Sequence, residues 1–162
     1  MKRHFTKMQA LGNDFILIDD RKGRLKKIGR LAKYLCDRKF GIGADQLLLL
    51  INSRTADFKM RIFNADSSEV EMCGNGIRCL AKYIWDNNIR GQGSGVRGQE
   101  LSIETLAGII RLQKKGNLIK VDMGEPILEP GKIPVKVESL KLKVKSSRTQ
   151  NAERSTQYAE LI

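Results

Sequence analysis

Cys73 is the residue of this chain best placed to do chemistry. It is followed by Gly74-Asn75-Gly76, after which Ile77, Leu80, Ala81, Ile84 and Trp85 recur at helical spacing. A cysteine at or just before a helix start gains two things. Free backbone N–H groups, here from Gly74, Asn75 and Gly76, can hold a carboxylate. The partial positive charge at the helix end favours a thiolate, the form that acts as nucleophile or base. Glycines on either side of Asn75 let the backbone approach a ligand closely. Against this stands the ordinary fate of a free cysteine, which is to be a small buried hydrophobe. Position alone leaves the two readings even.

Other chemistry is poorly supported. Cys79 lies roughly 240° around the helix from Cys73, so it faces elsewhere and cannot bridge to it. Cys79 and Cys36 read as core residues. There is no CxxC and only one histidine, which argues against zinc. That histidine, His4, sits in a polar, basic terminus with no Ser–His–Asp or Cys–His arrangement around it. The glycines of GQGSGVRG (91–98) follow a helix rather than a strand and lack a GK[ST] ending, so a phosphate loop is poorly supported.

The elements that must position Cys73 can be read from periodicity. Phe15–Ile18 is a short apolar run, predicted as a strand. Lys26–Lys39 reads as an amphipathic helix, with Ile28, Leu31, Ala32, Leu35 and Cys36 on one face and Phe40-Gly41-Ile42-Gly43 stopping it. Leu47–Ile51 reads as a buried strand, and Phe58, Met60 and Ile62 alternate with Lys59 and Arg61 as a half-buried one. The second helix starts near Cys73–Gly76. Asn87–Gly98 is a glycine-rich loop, and Leu101–Thr105, Ile109–Leu112 and Leu118–Met123 read as strands turned at Gly108 and Lys115-Gly116-Asn117. The spacing predicts an α+β domain, a helix packed on a curved sheet, rather than a doubly wound fold. Pro126, Pro130 and Pro134 punctuate an extended stretch. From about Leu140 the chain is a polar tail with no usable pattern, possible to read as disordered or as strands without a partner.

The whole composition agrees with a globular domain. The chain has 162 residues, 41% hydrophobic and 30% charged, with a net charge of +12. Its longest apolar run, Leu47–Ile51, is far below the ~18 residues of a membrane span. No apolar signal-peptide core follows the basic N-terminus, so the expected location is the cytoplasm. Three cysteines imply no disulfide framework. Arg21–Lys39 holds nine basic residues against one acid, Asp37. A nucleic-acid surface is the less favoured reading, because the charges fall on the outer face of the predicted helix and no RNA- or DNA-binding motif accompanies them.

Three separated segments carry a resemblance. KMQALGNDFILID (Lys7–Asp19), GIGADQLLLL (Gly41–Leu50) and FNADSSEVEMCGNGIRC (Phe63–Cys79) resemble the N-terminal half of diaminopimelate epimerase, and TLAGII (Thr105–Ile110) and VDMGEP (Val121–Pro126) fit the same family in order. The resemblance covers about Met1–Ser139, which sets the expected domain at 1–139 and an unmatched tail at 140–162. It implies two pseudo-symmetric halves, each a curved sheet wrapped around a central helix, with the active site in the cleft between them. It implies a cofactor-independent two-base epimerisation of LL- and meso-diaminopimelate in lysine synthesis, without pyridoxal phosphate or metal. One cysteine takes the α-proton and a second, on the opposite face, returns one. Cys73 matches the first. Gly74 and Asn75 match the clamp on the substrate carboxylate, and Asn13, Gln46 and Asn64 match the substrate-contacting polar residues. Neutral amides suit a zwitterionic ligand. Without the resemblance, Asn13 would be read as a turn residue, Gln46 as a strand cap and Asn64 as an Asx-turn. The implied partners are a small-molecule substrate and either the second half or another copy of the chain.

Two departures from the family pattern stand out. Ser67 replaces the usual glycine; if that position needs positive φ, serine costs about 1 kcal/mol or somewhat more. No second catalytic cysteine motif and no Glu-Arg-Gly segment occurs in these 162 residues. The expectation is an N-terminal portion that lacks full activity alone, with a non-catalytic folded remnant or binding module as the alternative.

Overall fold

A computed structural model of the chain describes residues 4–91, 99–129 and 132. They divide into two units, Met1–Glu125 and Pro126–Ile162. In the second, residues 126–129 follow neither helix nor strand. The predicted polar tail and most of the glycine-rich loop lie outside the described residues.

The first unit is one mixed sheet with a helix on each face. In chain order it runs β1 (Thr6–Ala10), β2 (Asn13–Asp19), α1 (Ile28–Cys36), β3 (Gln46–Ile51), β4 (Phe58–Asn64), β5 (Glu69–Val70), α2 (Gly74–Asp86), β6 (Glu100–Thr105), β7 (Gly108–Lys115) and β8 (Leu118–Val121). The strand order is β1-β2-β3-β4-β6-β7-β8, with β5 paired to β4 beside β6. β2 and β3 are parallel, as are β4 and β6; the other pairings are antiparallel.

Strand alternation explains why two helices are needed. Phe15, Leu17, Leu48, Leu50, Phe58, Met60 and Ile62 point to one face and pack with Ile77, Leu80, Ala81 and Ile84 of α2. Ile16, Ile18, Leu47, Leu49 and Phe63 point to the other and pack with Ala32 and Cys36 of α1. FILI and LLLL are therefore continuous apolar runs because both faces are covered. α2 touches β1 and β8, the two edges of the sheet, as well as β2, β3 and β4. The sheet therefore curls around α2, the predicted α+β architecture. Gly76 permits the close approach: a Cβ there would stand 3.1 Å from Leu48 Cδ2 and 3.4 Å from Phe15 Cε1.

Three sequence expectations need correction. The first helix is shorter than Lys26–Lys39. Lys27 is left-handed at φ 53°, and the Asp37 carboxylate accepts from the N–H groups of Lys39 and Phe40, turning the chain away. The basic residues Arg30 and Lys33 do lie on its exposed face. The last strand stops at Val121, and Ile109–Leu112 lies in the first part of the longer β7. The N-terminal segment is not merely a polar terminus: Thr6, Met8 and Ala10 alternate inward as β1 and join β2 through a two-residue turn. That turn, Leu11-Gly12, has positive φ at both residues (54° and 84°), the hairpin geometry that matches strand twist.

Candidate active site

The rows of core residues on the α2 face end in amides. Asn13 precedes Phe15 by one step of the alternation, Gln46 precedes Leu48, and Asn64 follows Ile62. Because β2 and β3 run parallel and β4 runs back, these three positions share one end of the sheet. Gln46 and Asn64 are direct cross-strand partners, and Phe15 pairs with Gln46. The start of α2 lies at the same end. The structure thus brings together all six residues singled out in the sequence: Asn13, Gln46, Asn64, Cys73, Gly74 and Asn75.

Cys73 is the N-cap of α2, in extended backbone (φ −143°, ψ 112°). Its Sγ accepts from the Gly76 N–H at 3.4 Å and from Asn13 Nδ2 at 3.8 Å. A sulfur thus takes the capping place usual for a serine or aspartate oxygen. The Gly74 and Asn75 N–H groups belong to the first turn, where the helix offers them no carbonyl. Gly74 has no internal reason to be glycine. Its φ is not positive, and a Cβ would meet only Met123, 3.8 Å away at ordinary contact distance. The bare backbone there leaves room for a ligand. Asn75 turns its side chain aside, its Oδ1 accepting from Arg78.

The amides are incompletely satisfied. Gln46 Nε2 donates to Asn64 Oδ1 at 2.8 Å, and Asn64 Nδ2 donates to Ser68 Oγ at 2.9 Å. Asn13 Oδ1 and Gln46 Oε1 are buried with no partner. Buried polar atoms are nearly always paired, so two orphaned acceptors at the end of the sheet where Asn13 meets Cys73 mark a candidate site; the third orphan among the described residues, Trp85 Nε1, is a donor elsewhere on α2. The Asx-turn anticipated at Asn64 belongs to Asp66, whose Oδ1 accepts the Ser68 N–H at 2.8 Å. Ser67 lies in this turn at φ 83°, the positive value for which glycine is suited.

Sequence reasoning missed what holds the amides in place. Asp14 and Asp45, neighbours of Asn13 and Gln46, point to the opposite face. There the Asp45 carboxylate accepts the Asp14 N–H at 3.1 Å, and the Asp14 carboxylate accepts the Asp45 N–H at 2.9 Å. Arg38 reaches both carboxylates at 2.8 Å, and Lys7 pairs with Asp14 at 2.8 Å. The Arg38 guanidinium, with Lys7 behind it, holds the Asp14 carboxyl far below the usual carboxylate range. The only sequence signal was the pairing of an acid with an amide at each strand start.

The remaining cysteines are of another kind. Cys36 and Cys79 are buried in the core, as read from the sequence, and lie on opposite faces of the sheet. Burial pushes both thiols up to about 11. A cavity of about 670 Å³ lies at the other end of β2, lined by His4, Asp19, Arg21, Arg24 and Tyr83 among others. None of the six site residues lines it, so volume and chemistry point to different ends of the sheet. The unpaired acceptors and capped sulfur are the stronger guide. Among the described residues no group of three or more potential metal ligands occurs, and no helix is long and apolar enough to cross a membrane.

A sheet curled around a central helix is a fold found in known structures. The chain shares its fold with a probable proline racemase from Agrobacterium radiobacter K84 (TM-score 0.57, 15% identity, 74% of this chain and 41% of that one). It also superposes on a phenazine biosynthesis protein of the PhzF family from Bacillus anthracis (TM-score 0.53, 20% identity, 74% and 38%). Sequence narrows this class. The model of the diaminopimelate epimerase family matches residues 5–129. Diaminopimelate epimerases from Carboxydothermus hydrogenoformans and Caldanaerobacter subterraneus subsp. tengcongensis are 51% and 52% identical over 83% and 85% of the chain. The chain belongs to the diaminopimelate epimerase family. It spans about half the length of the curated relatives it matches, 48% and 49% for these two.

Proposed function

We propose that this chain supplies one face of a diaminopimelate epimerase active site, with Cys73 as the acid–base group on that face. The observation that carries the reading is Cys73 Sγ at the α2 start, bonded by Gly76 and by Asn13, whose amide oxygen is left unpaired. The substrate α-carboxylate lies on the free N–H groups of Gly74 and Asn75. The Cys73 thiolate takes the α-proton and becomes a thiol, and the electron pair left on carbon delocalises into the carboxylate. The helix-end amides stabilise that charge as it develops. Asn13, Gln46 and Asn64 contact the polar groups of the substrate. Inversion requires a proton to be returned from the opposite face. Cys36 and Cys79 cannot return it, because both are buried in the core, 2% and 4% exposed.

The second acid–base group therefore comes from another half or another copy of the chain. The domain on this reading extends to about residue 139, and the reaction needs neither pyridoxal phosphate nor metal. It belongs to lysine synthesis in the cytoplasm.

Deuterium incorporation into LL-diaminopimelate in D₂O, with chiral analysis of the product, tests the reading. The purified chain should show no measurable epimerisation, because general acid–base groups contribute ~10²–10⁴-fold each. Adding the C-terminal half of a relative should restore turnover, and Cys73→Ala should abolish it. Robust turnover by the chain alone would mean that a symmetry-related copy completes the site. Restored turnover that survives Cys73→Ala would refute the assignment.

A further inference from the structure

The Gln46–Asn64 contact is one link in a longer chain whose direction follows from counting protons. The Asp66 carboxylate accepts from the Ser68 hydroxyl at 2.5 Å and from the Ser68 N–H at 2.8 Å. These bonds hold the Asp66 carboxyl below its ordinary range, so it is ionised and has nothing to donate. The Ser68 hydroxyl has one proton, and Asp66 takes it. Toward Asn64 that hydroxyl can only accept, and Asn64 Nδ2 donates to it at 2.9 Å. Asn64 Oδ1 is thereby turned to Gln46, whose Nε2 donates at 2.8 Å. Gln46 Oε1 is left facing away, buried and unpaired.

We propose that Asp66 and Ser68 are positioning residues that fix the Gln46 amide with its oxygen toward the ligand, so that this subsite receives an ammonium group and rejects a carboxylate. To receive a carboxylate, Gln46 would have to flip, setting its oxygen against Asn64 Oδ1. Asn64 would then flip too, setting Oδ1 against a hydroxyl whose only proton is on Asp66. Each reversal either sets two acceptors against each other at the partly buried Gln46–Asn64 contact or takes the Ser68 proton from Asp66 at the exposed end of the chain, which ends in a charge that cannot change roles. Asn13 follows the same polarity: its nitrogen is used by Cys73 and its unpaired atom is again an oxygen. The two orphaned acceptors thus complement the N–H donors of Gly74 and Asn75. One end of the site is built for an ammonium and the other for a carboxylate. The inference rests on the epimerase reading only for which ammonium compound enters.

The ¹⁵N-labelled full chain allows the side-chain NH₂ groups of Gln46 and Asn64 to be followed by NMR. In the unaltered protein each should give one sharp pair of signals. Asp66→Asn keeps the shape of the turn but offers Ser68 a donor, freeing its proton to point at Asn64. Both amides should then broaden or double while the backbone signals of Leu47–Leu50 stay in place. Ser68→Ala should do the same, and Ser68→Thr, which keeps the hydroxyl, should restore single signals. Unchanged Gln46 and Asn64 side-chain signals in Asp66→Asn and Ser68→Ala would overturn the proposal. Two probes extend the test to the ligand. LL-diaminopimelate should shift the Gln46 NH₂ pair, and pimelate, which has the carboxylates without the amino groups, should not. An equal shift with pimelate would also overturn the proposal. If the variants respond as expected but LL-diaminopimelate moves nothing, the positioning stands and the epimerase reading falls.

Discussion

Replacing Ser67 by glycine should stabilise the protein. Ser67 sits at φ 83° in the turn between β4 and β5, half-buried against the start of α1. A left-handed backbone costs a residue with a Cβ roughly 1–2 kcal/mol relative to glycine. Glycine also gives the unfolded chain more freedom, which takes back about 0.4–1 kcal/mol. The difference is a net gain of about 0.5–1 kcal/mol. Little packing is lost, because the closest approach to Gly29 is made by the Ser67 carbonyl oxygen, 2.9 Å from where a Gly29 Cβ would stand, and not by the side chain. The N–H bond to Asn64, at 3.1 Å, is a backbone bond and survives the change. Urea unfolding followed by circular dichroism reads the effect. With a slope of about 2 kcal/mol/M, the midpoint should rise by about 0.25–0.5 M without a change of slope. Ser67→Ala, which keeps the Cβ, should leave the midpoint near its original value. A Ser67→Gly midpoint that stays put or falls would show that the serine conformation carries no strain.

Other perturbations follow from the same geometry. Gly76→Ala should destabilise by about 1–3 kcal/mol, because its methyl would press on Leu48 and Phe15 in a well-packed floor; an unchanged melting temperature would contradict this. Cys36 and Cys79 are held at about 11 against an ordinary 9.0, so the unfolded chain releases these protons first as pH rises. Their contribution is intact below about pH 9 and is lost up to about pH 11, and urea midpoints across that range should fall less steeply in the Cys36→Ala/Cys79→Ala double variant. Iodoacetamide at neutral pH should label Cys73, half-buried at a helix end, well before the other two; peptide mass spectrometry showing equal labelling in the folded protein would contradict the placement.

Much of the fold was legible because burial on both faces leaves a plain signature. The runs at Phe15–Ile18 and Leu47–Leu50 could only be covered strands, and the 3.6-residue rhythm after Gly76 could only be a helix. β1 was not legible because its outward residues, Lys7 and Gln9, made the segment look like a charged terminus. The two-residue β5 has no periodicity to detect. For the site, the type and order of residues around Cys73 carried the reading, and the family resemblance brought in Asn13, Gln46 and Asn64. The roles of Asp66 and Ser68 were hidden, since proton direction along a hydrogen-bond chain exists only once the partners are in place. The same holds for Lys7, Asp14, Arg38 and Asp45, which meet from four separate segments.

The pairing of Asn13 with Asp14, and of Asp45 with Gln46, has a consequence for folding fidelity. At each strand start one residue faces the candidate site and its neighbour faces the clamp on the reverse side. A slip of one residue in register would exchange the two sets, because side chains alternate between faces. Carboxylates would then lie on the α2 face without a cation to pair them, and amides would lie beside Arg38, where they could not balance its charge. The misregistered chain would lose the clamp and the cluster of amides together. The accuracy of strand pairing is therefore guarded from both faces of the sheet by four side chains adjacent in two pairs.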